Sequence, residues 1–484
     1  MSIRELRRAL AGAALVLPVI GGFLQLGGYV GLAHATPLLS KDAAKQGPFA
    51  ANRTAARALT RDTGADRAPT VGETYPHGRT QSPLTTAVAA RLRAIAARGE
   101  RNPHVFSKVG ASATVNRNYL RCFAGDDVDL AGRDHLRATL EHFRAGQPNP
   151  FLRRSEAATV GWHAGRAVWG RHPPLNLEVR HADPRFAVVM YGTNDIELGR
   201  PEQYAELMLR LTHMLERRGV VPILSTIMPR DDDPDADEVV SLYNAIVRGI
   251  AQLRRLPMID YHRELARLPD HGLASDRLHP NVHFVDGDPR GCDFSELGLT
   301  HGYNLRNLIT LEALDRARRV LLEGEGPLDA PAAAPSGRGT FADPIQAQLP
   351  FAHASDTRRA AQDAVDEYRG CDADQDESGP EVVYRVHLDE PAEITAMVVT
   401  EGAVDVDLHV MHAVDGAPAC EARADGMLTV DLDAGDHWFV VDTFVSQGGV
   451  SQGGVDQDAT EHAGEFLFVA ARTDRPSDPT PPAQ

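Results

Sequence analysis

Cysteine is scarce in this chain, with four in 484 residues: Cys122, Cys292, Cys371 and Cys420. No C-x-x-C pair and no Cys/His zinc spacing occurs, which argues against a zinc module. Cationic residues are in deficit. Lys plus Arg total 50 against 67 Asp plus Glu, a net charge of −17, so the chain is unsuited to wrapping nucleic acid. Long apolar runs are also missing beyond residue 35, and no later segment is apolar enough to cross a bilayer. The composition is otherwise ordinary for globular protein, 43% apolar and 24% charged, and the length suffices for two or three domains.

The N-terminus is the exception. Arg4, Arg7 and Arg8 precede an apolar run from Leu10 to Leu32, followed by Ala33-His34-Ala35. This pattern predicts an export signal over residues 1–35, cleaved after Ala35, and hence a secreted, periplasmic or cell-surface protein. An uncleaved membrane anchor is the alternative, disfavoured by the glycines and Pro18 in the run. An exported chain with four cysteines suggests two disulfides. Three pairings are open, and the placement of two cysteines in each domain described below favours Cys122–Cys292 and Cys371–Cys420.

Residues 36–81 carry Ala, Thr, Arg, Gly and Pro without an apolar period and read as a flexible stalk. From Ser82 strands and amphipathic helices alternate. "HVFSKVG" and "FAVVMYG" read as strands, and "PEQYAELMLRLTHMLERRG" as a helix with Pro201 in its first turn and Gly219 as its stop. "VVPILSTIMP" and "LPMIDY" are further strands, and a last helix lies near "YNLRNLITLEALDRARRVLLEG". Alternation of this kind predicts a parallel sheet covered on both faces over residues 82–325. An Ala/Pro/Gly-rich linker is expected over 326–360. Strand-period segments then predict an all-β sandwich over 361–473, and residues 474–484 form a disordered tail.

In parallel α/β sheets, ligands bind beyond the carboxyl ends of the strands. Three such ends carry Ser112 in "GASAT", Asn194 in "GTND", and Asp276 with His279 in "SDRLHP". A serine hydroxyl needs an imidazole to take its proton, and the imidazole needs a carboxylate to hold its tautomer. An Asn amide can donate to a developing oxyanion. Those are the needs of acyl transfer.

The stretches "KVGASAT", "VGWHAG", "YGTND" and "DRLHP", in that order, resemble the four blocks of the SGNH (GDSL-type) hydrolase superfamily. The resemblance implies a flavodoxin-like three-layer α/β/α fold and a serine esterase or lipase without metal or organic cofactor. Its substrates would be acyl or acetyl esters of lipid or carbohydrate. It implies a triad of Ser112, Asp276 and His279, and an oxyanion hole formed by the backbone of Ser112 and Gly161 with the Asn194 side chain. Gly165 competes with Gly161 for that place. Where the first block usually reads Gly-Asp-Ser, this chain has Gly110-Ala111-Ser112.

Two other readings compete. Asp276, His279 and His283, with Asp286 nearby, could ligate a metal, although Pro280 after His279 opposes helical ligand geometry. A degenerate domain retained to bind cell-surface carbohydrate or lipid is the other. Beyond the linker, "GPEVVYRV", "DVDLHVM", "LDAGDHWFVVDTF" and "GEFLFVA" resemble a bacterial pre-peptidase C-terminal (PPC-type) β-sandwich, which implies a targeting, binding or processing role without catalysis of its own, binding of a cell-surface or extracellular polymer among them. The acidic run around Asp372, Asp374 and Asp376 reads as a solvated loop, since Glu377 stands where an EF-hand needs glycine.

Overall fold

The structure is a computed structural model that describes residues 68–366, 368, 370–371, 375–414, 417–446 and 460–474. The expected export signal, residues 36–67 of the expected stalk and all of the expected tail but residue 474 lie outside these.

Four parallel strands form the first sheet in the order β1 (Asn102–Gly110), β2 (Pro184–Met190), β3 (Val221–Ser225) and β4 (Met258–Ile259). β2 is buried along its whole length, which is why its sequence runs apolar without alternation. One group of helices packs together around α1 (Thr86–Ala96), α3 (Arg137–Arg144) and α10 (Gly302–Leu321), and a second around α4 (Ala164–Val168), α5 (Pro174–Ala182), α6 (Pro201–Glu216) and α8 (Val240–Arg254). Between β1 and α3 lies the short α2 (Ser112–Val115), and before and after α8 come α7 (Pro234–Glu238) and α9 (Tyr261–Leu265). The expected three-layer α/β/α architecture is thus present. α6 begins at Pro201, and Gly219 beyond its end takes φ +75°, the left-handed conformation suited to a helix stop. A small hairpin joins β5 (Phe284–Val285) and β6 (Asp288–Pro289).

The C-terminal part is a sandwich of two sheets. One has the order β13 (Met427–Leu432), β10 (Ala392–Thr400), β17 (Glu465–Arg472), β8 (Phe351–Asp356). The other has β12 (Ala417–Ala424), β11 (Val406–Val414), β14 (Gly435–Thr443), β9 (Val382–Leu388), β7 (Ile345–Gln346). A two-residue pairing of β15 (Val445–Ser446) with β16 (Thr460–Glu461) completes it. Disulfides join Cys122 to Cys292 and Cys371 to Cys420, one within each domain.

β7 and β8 fall inside the stretch expected as linker, and residues 68–81, expected as stalk, are packed. The Val71 N–H donates to Ala354 O at 2.9 Å, the Tyr75 N–H to Gln252 Oε1 at 2.9 Å, and the Ser82 N–H to Met258 O at 2.9 Å. The segment runs from the sandwich to the edge of the parallel sheet. Irregular chain of this kind has no periodicity to read, so composition alone suggested mobility. Glu377, within the expected acidic loop, is buried and paired with Arg423 at 2.8 Å.

The sandwich also shares a core with the α/β domain. On β10 and β17, Ile394, Ala396, Phe466 and Phe468 face the sandwich interior, while Met397, Val399, Leu467 and Val469 join the apolar cluster of the α/β domain. Both faces of these strands are therefore buried. Approach to α8 is close enough that a Cβ on Gly249 would meet Leu467 at 2.5 Å. We therefore expect a chain ending at Gly326 to melt about 10 °C or more below the full chain, because the exposed apolar face is worth several kcal/mol. Thermal denaturation checks this, and an unchanged Tm would show that the two domains stand alone.

Candidate active site

Gly110 ends β1 at the point where the chain must turn tightly. A Cβ there would lie 2.4 Å from Thr114 Oγ1 and 2.6 Å from Met190 O, so only glycine fits. Ala111 follows, buried, and Ser112 opens α2 half-buried. This turn is held from beneath by α10. The Arg306 guanidinium donates to Ala113 O at 2.7 Å and to Thr114 Oγ1 at 3.2 Å, and the Tyr303 hydroxyl donates to Ala113 O at 3.3 Å. Arg306 lies 3.9 Å over the Tyr119 ring, a cation–π contact in a buried setting.

The same helix fixes the second loop. Asn281 Oδ1 accepts from the Gly302 N–H at 2.8 Å, and the Tyr303 N–H donates to Asn281 O at 2.8 Å. Just before it, Asp276 makes a local turn, its Oδ1 accepting from the N–H groups of Leu278 (3.1 Å) and His279 (3.0 Å). Its other oxygen, Oδ2, lies 2.7 Å from His279 Nδ1, and His279 Nε2 lies 2.7 Å from Ser112 Oγ. Ser112 and His279 are 167 residues apart in sequence, and the fold places them in hydrogen-bonding contact. Burial by itself would raise the Asp276 carboxyl, but the backbone and ring of His279 and the Leu278 N–H outweigh it and hold the group below its ordinary range.

The second and third blocks meet each other. Asn194 donates its side-chain amide to Trp162 O at 3.0 Å, next to Gly161. Asp195, buried, accepts from the Ala164 N–H at 2.9 Å through Oδ1 and from the Gly192 N–H at 3.0 Å through Oδ2. Burial pushes this carboxyl up to about 6 against those two bonds. Of the two candidate glycines, Gly161 sits exposed at φ +73° with open space around it. Gly165 is buried, and a Cβ on it would fall 2.7 Å from the Trp169 ring. Its constraint is packing.

Asp195, Tyr303 and Arg306 did not stand out in the sequence as site residues. Asp195 carried a weak signal, a carboxylate directly after Asn194 at a strand end. The other two lie within a helical pattern that gives no hint of their target. Asp195→Ala is expected to orphan two buried N–H donors at about 1–3 kcal/mol each and to lower turnover by loosening both loops. Denaturant unfolding together with kcat per folded molecule checks both effects.

The metal reading is not supported by the geometry. His283 turns its Nδ1 to Asp293 Oδ2 at 2.7 Å, away from His279. Among the described residues, the one group whose ligating atoms converge is Cys371, His409 and Cys420. Its cysteines are joined in a disulfide, so they offer no thiolate. No helix among the described residues is long and apolar enough to cross a membrane.

No curated protein matches this chain. Among solved structures, a two-domain esterase active on acetylated mannans, co-crystallized with mannopentaose, is 12% identical. That alignment covers 82% of this chain and 96% of that one with a TM-score of 0.28. A catalytic mutant of an acetylxylan esterase from Geobacillus stearothermophilus is 16% identical over 45% of this chain and 94% of its own, TM-score 0.29. An α/β hydrolase enzyme from the metagenome of Lake Arreo, Spain, is 18% identical over 45% and 95%, TM-score 0.29. The model of the GDSL-like Lipase/Acylhydrolase family matches residues 135–283, a span that begins after Ser112 and takes in Gly161, Asn194, Asp276 and His279. Through that span, which holds three of the four motif blocks, this chain resembles the GDSL-type lipases and acylhydrolases.

Proposed function

We propose that this protein is an exported serine esterase that hydrolyses carboxylic esters, acyl or acetyl groups on lipid or carbohydrate, through an acyl-Ser112 intermediate. The observation that carries this reading is the unbroken chain Ser112 Oγ, His279 Nε2, His279 Nδ1, Asp276 Oδ2, with 2.7 Å at each link. In the proposed mechanism His279 takes the Ser112 proton as Oγ attacks the ester carbonyl, and Asp276 holds the ring in the tautomer with Nδ1 protonated. Negative charge on the carbonyl oxygen is met by the backbone N–H groups of Ser112 and Gly161 and by the Asn194 amide. An NH₂ group has two hydrogens, and one of those of Asn194 is already fixed by Trp162 O, which orients the other. His279 then returns its proton to the leaving alcohol and activates the water that releases the acyl group.

Ala111, in place of the usual Asp of the first block, is the feature that favours a degenerate binding module. Here the nucleophile loop is held by Arg306 and Tyr303, so the loop keeps its shape without a carboxylate at position 111. Export agrees with the N-terminal pattern and with two disulfides. The test is turnover of p-nitrophenyl esters of graded chain length with and without EDTA. Hydrolysis that EDTA leaves unchanged is expected. Loss with EDTA would favour a metal-dependent hydrolase, and absence of turnover in folded protein would favour a binding module.

A further inference from the structure

A cavity of about 170 Å³ adjoins the nucleophile loop, lined by Thr114, Val115 and Asn116 on one side and by residues 152–155 and 158–160 on the other. Asn116 lies one helical turn beyond Ser112, its N–H bonded to Ser112 O at 3.1 Å, so the cavity begins on the order of 5 Å from the nucleophile's backbone. Four cations line it: Lys108, Arg121, Arg153 and Arg154. The chain as a whole has a net charge of −17, so this is a local concentration of positive charge.

The nearby carboxylates are already committed. Glu178 is buried and takes Arg153 as a bidentate partner, together with the Ser107 hydroxyl and the Glu156 N–H. Glu156 itself pairs with His181. Lys108 is 6% exposed and donates one hydrogen to Phe151 O at 3.0 Å, which leaves the ammonium two further donors. Burial, then the charges of Arg153 and Arg121, bring it down to about 8, still mostly protonated at neutral pH. Arg121 and Arg154 are exposed, and among the described residues neither is paired with a carboxylate. Glu178 offsets part of the Lys108 charge, so Arg121 and Arg154 are the cations that face this small cavity without a carboxylate partner among the described residues.

We infer that this cavity is a subsite for a carboxylate on the substrate, so that the ester cleaved at Ser112 is carried by an acidic carbohydrate, a polymer of uronate-type sugars. This rests on the esterase reading and narrows it. Guanidinium and ammonium groups suit a carboxylate. The remaining walls alternate Asn116, Ser155 and Thr159 with Val115, Leu152 and Val160. That mixture offers hydroxyl partners and apolar contact for the C–H face of a sugar ring. Val160 is next to Gly161, so a ring seated there lies between the cationic wall and the oxyanion loop.

The test uses the full chain and the double variant Arg121→Gln/Arg154→Gln, whose exposed positions spare the core. By calorimetry, tetragalacturonate is expected to bind at low ionic strength. The affinity should fall about tenfold or more in the double variant and fall steeply as salt screens the charges. Xylotetraose, uncharged, should show no such change. In turnover, kcat/KM on acetylated polygalacturonate should fall about tenfold through KM while p-nitrophenyl acetate hydrolysis stays at the wild-type rate. Absent binding of tetragalacturonate, or binding unchanged in the double variant, would overturn the subsite. Tighter binding of inorganic phosphate or anionic phospholipid vesicles than of tetragalacturonate would overturn its assignment to a sugar carboxylate. Failure of the wild type to hydrolyse p-nitrophenyl acetate would sink the esterase reading instead, while the calorimetry still decides whether the cavity holds the uronate.

Discussion

Ser112→Ala is expected to lower kcat on p-nitrophenyl acetate by about 10⁵–10⁶-fold, the scale on which loss of one triad member disables the whole unit. The argument is geometric. His279 Nε2 is aimed at Ser112 Oγ from 2.7 Å, so the imidazole has nothing to deprotonate once the hydroxyl is gone. The loop itself should survive, because Arg306 and Tyr303 grip the carbonyl of Ala113 and not the serine side chain. An unchanged Tm with activity at background is the signature sought. Activity near wild type would mean that the hydroxyl beside His279 is a turn serine and that another group performs the attack.

Asn194→Ala should cost about 10²–10³ in kcat, as for other single oxyanion-hole donors. A purely structural role predicts something else: some loss of stability through the missing bond to Trp162 O, with turnover per folded molecule nearly intact. Because alanine removes both the donor and the link to the second block, Asn194→Asp is the useful companion. It keeps the size of the side chain but offers no N–H, so it should be at least as damaging to kcat. If both variants changed KM alone, Asn194 would be binding the ground state and not the oxyanion.

The placement of Ser112, Asn194, Asp276 and His279 was legible because each follows a strand or sits in a turn whose residues announce themselves. Gly110 ends β1, Gly192 lies two residues past β2, and Asp276 caps its own turn through Leu278 and His279. Cysteine pairing was legible for a similar reason, since domain boundaries and cysteine positions agreed. What stayed hidden depends on tertiary partners. Arg306 reads as one more charged residue on a long helix, yet its guanidinium is buried against Tyr119 and the nucleophile loop. β8 lay unseen in an Ala/Pro-rich stretch, although Phe351–Asp356 pairs along β17. Tyr75, in a segment without periodicity, is 2% exposed and bonded to Gln252 and Leu256. Local pattern reports which faces are apolar, and says little about which neighbour covers them.

The central claim is that Ser112 is a nucleophile activated by His279. Its most direct test is treatment of the folded protein with a serine-directed fluorophosphonate, followed by mass mapping of the labelled peptide. A single adduct on Ser112 is predicted, absent in Ser112→Ala, strongly slowed in His279→Ala, and indifferent to EDTA. Labelling at another residue, or a fully folded protein that no fluorophosphonate modifies, would contradict it.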